Sequence, residues 1–424
     1  MKEDFLHFMW QYQLFTNLPM YTNTGSEVRV LHPGYHNHNS GPDFREGKIQ
    51  IGAFEWFGPV EIHVRSSDWL KHKHHTDPAF GHVILHVVYE NDREIFLHQP
   101  GDLPVLELKP YLQPEYRERY LQLIENARTM PCSSRLTEIS ELLWTNWMDR
   151  LLVQRLERRC AELDARLIRA RNDWEEVAWQ VIVTAFGMKV NREAFDHLGK
   201  ILPRLLVQQV GSDPFRMEAL LFGMSGILPQ YSDSKYVQGL ISEFEFLRHK
   251  HQLSPMASKL WHRLRMRPGG LPEVRIAQLA SVASKGTDFL NRILDCTDTK
   301  SLKQVFSALP SEYWNTHYGF KEDSKCKPKP LGQTALDHII INACVPLVYT
   351  YGKARGYEGY CSLALQWLDQ VKSEQNQITA MWKKMGRISR NAGDSQALIE
   401  LKSHFCDHKK CLSCMVGVKL LKQN

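Results

Sequence analysis

The hydrophobic periodicity of this chain changes near residue 112, and that change limits the folds available to it. Between residues 26 and 100, short segments such as KIQIGAFEWFG and VILHVVYEN are separated by Gly, Pro and Asn, as is typical of β-strands joined by turns. Beyond residue 112, apolar residues recur at helical spacing, as in MDRLLVQRLERRCAELDARLIRAR. We therefore predict an α+β protein, with an N-terminal mixed β-sheet and flanking helices followed by a mainly α-helical domain.

The same change predicts the domain boundaries. The length of 424 residues suits two or three domains. We expect an α/β domain over residues 1–125, a helical domain over 126–400 and a cysteine-containing C-terminal tail over 401–424. The predicted strands of the first domain include EIFLHQP, residues 94–100.

Three side chains in residues 41–69 have the spacing of a hydrolytic metal site. Residues two apart on a strand point to the same face, so Glu61 and His63 should project together. Asp43 lies in the turn before the preceding strand, within reach of both. Two carboxylates and an imidazole can hold a divalent ion and position a water, which is the equipment for phosphodiester hydrolysis. We expect both carboxylates on a solvated rim.

The stretch resembles the PD-(D/E)XK nuclease superfamily, in which Pro-Asp precedes a hairpin whose second strand carries Glu-x-Lys. Here the segments read Pro42-Asp43 and Glu61-Ile62-His63. The resemblance implies a restriction-endonuclease-like sheet, Mg²⁺ or Mn²⁺ bound by Asp43 and Glu61, and His63 in the place of the lysine that activates water. It also implies an acid on the N-terminal helix, for which Glu3 and Asp4 are candidates.

Over nearly its full length the chain also resembles a bacterial family known only as a domain of unknown function. The shared segments are LHPGYHNHNSGPDF, GPVEIHVRSSDW, VILHVVYEND, LFGMSGILP, RMRPGGLPEVRIAQLA and FCDHKKCLSCMVG. This resemblance implies no activity.

Ten of the 19 histidines lie between residues 32 and 98, which concentrates metal ligands around the predicted site. His86 on the VILHVVYEND strand is expected beside His63, and Ser66 is a candidate phosphate contact. At least half of the others, which include His36, His38, His72, His74, His75 and His82, are expected to be surface or loop residues.

The C-terminal tail carries a second candidate metal site. Cys406, Cys411 and Cys414 have the spacing C-x4-C-x2-C, which suits zinc or an iron–sulfur cluster. The fourth ligand is open among His404, His408, Cys326, Cys344 and Cys361, and a set of free thiols is the alternative.

The charge distribution suggests nucleic acid as a partner. Residues 1–130 hold 12 basic and 17 acidic residues, and the remainder of the chain holds 41 and 30. Arg265, Arg267 and Arg275 are candidate phosphate contacts, but a structural role suits these arginines equally well. A basic solvated helical surface is the better explanation of the charge excess by itself. No apolar run approaches a membrane span and the N-terminus is too polar for a signal peptide, so we expect a cytoplasmic protein.

These features favour a metal-dependent nuclease of DNA or RNA with a helical accessory domain. One alternative is an inactive scaffold of the same fold. Another is a zinc hydrolase of a small molecule that uses the histidines and carboxylates.

Overall fold

The computed structural model describes residues 1–16, 18–37, 40–95, 103–125, 130–320 and 324–422. Two compact units are present: unit 1 contains Met1–Trp144 and Ser403–Asn424, and unit 2 contains Thr145–Lys402. The predicted α+β class is confirmed, with a mixed sheet in unit 1 and a mostly helical unit 2. The predicted domain limits themselves stay a prediction. His38 and all but the first two residues of the EIFLHQP strand lie outside the described residues.

Unit 1 is built on a seven-stranded sheet. Its strands are β1 Met20–Tyr21, β2 Glu27–His32, β3 Tyr35–His36, β4 Phe44–Ile51, β5 Phe54–Arg65, β6 Leu85–Glu90 and β7 Val105–Glu107. They follow the order β1-β2-β4-β5-β6-β7, and β3 pairs with β4. The first pairs are antiparallel, whereas β5–β6 and β6–β7 are parallel. An antiparallel bridge between Thr22 and Leu106 brings the two edges together, so the sheet nearly closes into a barrel.

The helices, in chain order, are α1 Glu3–Gln11, α2 Asp68–Lys71, α3 Pro114–Glu125, α4 Glu141–Arg169, α5 Trp174–Phe186, α6 Arg192–Ile201, α7 Arg204–Val210, α8 Pro214–Met224, α9 Lys235–His251, α10 Pro272–Ala283, α11 Phe289–Leu294, α12 Thr299–Val305, α13 Tyr313–Thr316, α14 Gln333–Ile339, α15 Val345–Arg355, α16 Glu358–Gln370, α17 Gln377–Lys384, α18 Ala392–Glu400 and α19 Met415–Lys422. Within the described residues, none of them is both long and apolar enough to cross a membrane.

The core of unit 1 lies between the sheet and α1. Leu6 and Trp10 from the helix are fully buried against strand residues that include Val60 and Ile62. The indole of Trp10 donates to the backbone carbonyl of Pro33 at 3.0 Å, which ties the helix to the turn before β3. Because side chains alternate along a strand, burying Val60 and Ile62 on this side sends Glu61 and His63 to the other side.

Unit 2 is a helical bundle around α5. The sequence WEEVAWQVIVTAF is apolar on most of its surface, and such a helix belongs at the centre of a core. Asp173 begins it by accepting a hydrogen bond from Glu176 N–H at 3.0 Å, a standard N-cap. Between α14 and α15 the chain makes a π-helical turn at Ile340–Cys344, and Leu401–Cys406 forms another after α18.

Candidate metal centre

Strand β5 carries the two residues around which the site is built. Glu61 and His63 are 5% and 1% exposed, and they lie on the sheet face opposite the α1 core. In the parallel pairing of β5 with β6, Glu61 is opposite His86, so these three side chains share one face. The expectation of a solvated rim is wrong for Glu61, because the short helices after β5 cover this face.

Asp43 joins the site through reciprocal hydrogen bonds with β5. Its backbone N–H donates to Glu61 Oε2 at 3.0 Å, and its own carboxylate Oδ2 accepts from Ile62 N–H at 3.0 Å. Asp43 directly precedes β4, and a register shift between Phe44 and Gly47 interrupts the β4–β5 pairing at this point. The structure therefore brings the two predicted carboxylates together.

His63 contacts two further imidazoles, one through each ring nitrogen. Its Nδ1 lies 2.9 Å from His86 Nε2, and its Nε2 lies 3.1 Å from His72 Nδ1. A neutral imidazole has one donor and one acceptor nitrogen. If Nδ1–H donates to His86, the lone pair of His63 Nε2 is directed towards His72 and is available to a metal ion.

His74 completes a group of three histidines with His63 and His72. One ring nitrogen from each lies within 4.8 Å of the others, an arrangement that could hold a metal ion. The carboxylate Oε1 of Glu61 lies 3.3 Å from His74 Nε2 and 3.6 Å from His63 Nε2. Ligands on a tetrahedral zinc ion at about 2.0–2.1 Å are separated by ~3.3 Å. The measured separations fit such a shell.

Aromatic packing orients these imidazoles. Trp69 on α2 is 1% exposed and contacts the rings of His63, His74 and His86. Phe80 stacks on His74, with 3.8 Å between ring centroids. Trp69 and Phe80 belong to a small apolar cluster under the β5–β6 crossover. The segment DWLKHKHHTDPAF thus folds back over the sheet and brings His72 and His74 close to His63.

Burial shifts the pKa values of the ionisable groups in this site away from their usual values. Burial, followed by the charge of Asp43, raises the pKa of Glu61 to about 8. Burial and the neighbouring imidazoles lower the pKa of His63 to about 2, and burial lowers that of His86 to about 3. Each of these shifts favours the neutral form of its group. A bound cation would favour the ionised form of Glu61.

Two residues of α1 also reach the site. Burial and the charge of Asp43 raise the pKa of Glu3, which places one of the two predicted helix acids beside the first carboxylate. His7 Nε2 lies 3.2 Å from Asp43 Oδ2. Burial lowers the pKa of His7, but the contact with Asp43 outweighs it and the net shift is upward.

Ser66 lies apart from this chemistry. It is 0% exposed, and its hydroxyl oxygen lies 3.0 Å from Asp92 Oδ1 and 2.7 Å from the carbonyl oxygen of Arg93, two acceptors that share its one proton. Ser67 donates to the same Asp92 carboxylate. These bonds fasten the end of β5 to the chain after β6. Ser66 is therefore structural in this conformation and offers no exposed atom to a phosphate.

The predicted nucleic-acid contacts occupy two different environments. Arg265 and Arg267 are exposed on the loop before α10, and Leu264, which directly precedes Arg265, is 91% exposed. Arg275 lies within α10, where its Nη1 donates to Gln278 Oε1 at 2.9 Å. Burial lowers the pKa of Arg275 to about 10. The first two can meet a large partner, whereas Arg275 faces the interior of unit 2.

The C-terminal thiols have a neighbour that sequence reasoning missed. Cys411 and Cys414 are 9% and 7% exposed. Burial, followed by the neighbouring Cys414 and Cys411, raises the pKa of the Cys132 thiol to about 12. Cys406 precedes them at the end of a π-helical turn. Cys344 and Cys361 belong to unit 2. Among the described residues, the thiols do not form a group with all sulfur atoms within 4.8 Å.

The chain belongs to the family described as "Protein of unknown function (DUF2851)", whose model matches residues 3–377. The predicted resemblance to a domain-of-unknown-function family is thereby confirmed over these residues, whereas the segment FCDHKKCLSCMVG lies beyond the match. No curated protein and no solved structure matches the chain.

Proposed function

We propose that unit 1 is a metal-dependent phosphodiesterase that acts on nucleic acid. The observation that carries this proposal is the meeting of Asp43, Glu61 and His63 around the β4–β5 hairpin. Their order along the chain is that of the PD-(D/E)XK nucleases, and Glu3 on α1 supplies the fourth position of that pattern. A restriction-endonuclease-like active site is part of the proposal.

The imidazoles favour a first-row transition ion at this site. Carboxylates suit Mg²⁺ and Mn²⁺, whereas imidazole suits zinc and iron. With His63, His72 and His74 beside Glu61, we propose Mn²⁺ or Zn²⁺ in preference to Mg²⁺. Such an ion would polarise a phosphate oxygen and lower the pKa of a bound water.

The chain's own groups then have separate tasks. His63 is fully buried and both of its ring nitrogens have imidazole neighbours, so it serves as a fixed ligand and not as the mobile cation that a lysine would supply. Asp43, with its side chain 23% exposed, lies nearer the solvent than Glu61. We assign it to the substrate side of the site, together with Glu3.

A second candidate is a zinc hydrolase of a small molecule. The three-histidine group favours it, because three protein ligands and an open position are typical of catalytic zinc. The exposed position of His72 leaves access for a substrate. The remaining alternative is an inactive scaffold in which the ion stabilises the fold.

The test combines metal analysis of the full chain with cleavage assays. Purified protein is analysed for metals and then loaded separately with Mn²⁺, Zn²⁺ and Mg²⁺. Each form is assayed on single- and double-stranded DNA, on RNA and on chromogenic small phosphodiesters and esters. The proposal expects cleavage of a nucleic acid that Asp43→Asn abolishes. Turnover of small esters alone would favour the zinc hydrolase, and a tightly bound ion with no turnover would favour the scaffold.

The C-terminal thiols are proposed as a second, structural centre. Cys132 together with Cys406, Cys411 and Cys414 supplies four thiolates, the number that a structural zinc or an iron–sulfur cluster needs. The sulfur atoms are not gathered within 4.8 Å, so binding would draw the segment together. In such sites the free energy of metal binding contributes to folding.

A further inference from the structure

Unit 2 contains a cavity that is separate from the proposed metal centre. Its volume is about 830 Å³, within the range of about 300–1,000 Å³ that is usual for small-molecule sites. The walls come from α4, α5, the start of α6, the π-helical turn at 340–344 and the segment that leads into α17. Apolar side chains, among them Val181, Met188 and Ile378, form part of the lining.

Cations predominate among the charged residues of this cavity. Five basic and two acidic side chains line it: Arg155, Arg159, Arg166, Lys189, Arg192, Glu162 and Glu374. The lining therefore carries an excess of three positive charges. A cavity of this sign attracts anions and raises their local concentration.

Protein groups satisfy only part of this set. Arg155 Nε donates to Gln396 Oε1 at 2.5 Å and its Nη1 donates to Glu400 Oε2 at 3.2 Å, so two of its three nitrogens are engaged. Arg166 Nη2 donates to Asp196 Oδ1 at 2.5 Å, but its Nη1 is buried and has no partner among the described residues. A buried guanidinium N–H without an acceptor is costly, and an acceptor supplied by a ligand would satisfy it.

Arg192 is the second unsatisfied cation. Its exposed side chain makes no ion pair or hydrogen bond within the described part of the chain. It is also the first residue of α6, where the helix macrodipole disfavours positive charge. Because Arg192 also lines the cavity, it is well placed to meet a negatively charged ligand.

The floor of the cavity has a polar, neutral part. Arg159 Nη2 donates to the backbone carbonyl of Asn342 at 2.7 Å, on the π-helical turn, and Asn342 Nδ2 lies 3.2 Å from His338 Nδ1. Burial and the charges of Arg275, Arg159 and Arg192 lower the pKa of His338 to about 4. His338 is thus an uncharged hydrogen-bonding group beside three arginines. Single π-helical turns occur often at functional sites.

We propose that this cavity binds a phosphorylated small molecule of about nucleotide size. Its phosphates would lie against Arg159, Arg166 and Arg192, because guanidinium groups bond phosphate oxygens in pairs. Its organic part would lie against Val181, Met188 and Ile378. An excess of three charges suits a polyanion better than a single carboxylate. The inference does not depend on the activity proposed for unit 1.

Calorimetric titration of the full chain tests this inference. The probes are pyrophosphate, adenosine triphosphate, adenosine monophosphate and adenosine, at low and at moderate salt. We expect the phosphorylated probes to bind, adenosine to fail, and affinity to fall with salt. Arg192→Glu should weaken binding at least tenfold. This reversal removes an exposed cation from a helix N-terminus and places an acid there, so it should preserve the fold.

Lys235→Glu is the matched control. Lys235 is likewise an exposed cation at the first position of a helix, α9, but it does not line the cavity. The Lys235→Glu variant should bind the probes as the wild type does. The inference is overturned if no phosphorylated probe binds, if Arg192→Glu binds normally, or if both reversals weaken binding equally.

Discussion

Asp43 and Glu61 each accept a hydrogen bond from the backbone beside the other. Asp43 N–H donates to Glu61 Oε2 and Ile62 N–H donates to Asp43 Oδ2, both at 3.0 Å. The two carboxylates are therefore structural acceptors as well as candidate ligands. Alanine at either position would remove the ligand and leave a backbone N–H unpaired, that of Ile62 in the Asp43 variant and that of Asp43 in the Glu61 variant, at a cost of roughly 1–3 kcal/mol.

For this reason we predict different outcomes for amide and alanine variants. Asp43→Asn and Glu61→Gln keep an oxygen acceptor and should melt close to the wild type, while cleavage falls at least about 100-fold, the size expected for one positioned catalytic group. Asp43→Ala and Glu61→Ala should also lose thermal stability. Thermal melts and single-turnover cleavage assays measure both effects. Full activity in the amide variants would show that cleavage does not require the Asp43 and Glu61 carboxylates.

Two neighbouring histidines provide a matched test of the metal ligands. His72 lies in the three-histidine group, whereas His75 is exposed nearby and lies outside it. We predict that His72→Ala lowers the metal content of unit 1 and removes the thermal stabilisation by added Zn²⁺ or Mn²⁺, and that His75→Ala changes neither. Elemental analysis with melting curves at several metal concentrations measures this. Equal metal content in the two variants would argue against the group as a binding site.

The variant His63→Lys tests whether His63 is a metal ligand or fills the role of the lysine in the resembled nucleases. His63 is 1% exposed and has imidazoles at both nitrogens, so a lysine there would bury an ammonium group and supply no metal lone pair while protonated. We predict loss of bound metal and of cleavage. Retained cleavage in the variant would instead show that this position works as the lysine of the resembled nucleases does.

For the C-terminal thiols we predict that Cys132→Ser abolishes metal binding at that centre. Cys361→Ser is the control, since Cys361 is in unit 2 and its thiol donates to the Tyr349 carbonyl. Zinc content, or iron with absorption near ~400 nm after anaerobic purification, identifies the ion. His72 and Cys132 would serve separate centres. The metal content lost in the double variant His72→Ala/Cys132→Ser should therefore equal the sum of the losses in the two single variants.

The stability of unit 2 should fall as the pH rises through the titration of Glu218. Glu218 is 1% exposed, and burial raises its pKa from 4.5 to about 7, although Ser311 and Trp314 donate to it and favour the ionised form. Between these pH values the folded state binds more protons than the unfolded state, so the free energy of unfolding decreases with increasing pH.

The variant Glu218→Gln has no carboxyl group to titrate at this position. Its comparison with the wild type therefore isolates the contribution of Glu218. The difference in unfolding free energy between variant and wild type should shift in favour of the variant by up to about 3 kcal/mol from pH 4.5 to pH 7, and should be constant above that. Calorimetric melts across this range measure the difference. A difference that does not change with pH would show that the carboxyl group titrates normally.

The sequence predicted the strand-borne part of the site because period-two alternation is a local property. Glu61 and His63 had to share a face, and His86 had to lie on a neighbouring strand. His72 and His74 could be named only as members of a histidine-rich segment. Their approach to His63 depends on how Trp69 and Phe80 pack under the crossover, which is a tertiary contact that spacing does not contain. Cys132 was missed for the same reason.

The grouping of residues 403–424 with the N-terminal part has a consequence for biosynthesis. Lys422 Nζ lies 3.6 Å from the centre of the Tyr12 ring, and α19 contacts α3. A ribosome makes the sheet first, then all of unit 2, and the α19 segment later still. Unit 2 can therefore fold on the nascent chain, while unit 1 waits in an incomplete form until translation has passed residue 422.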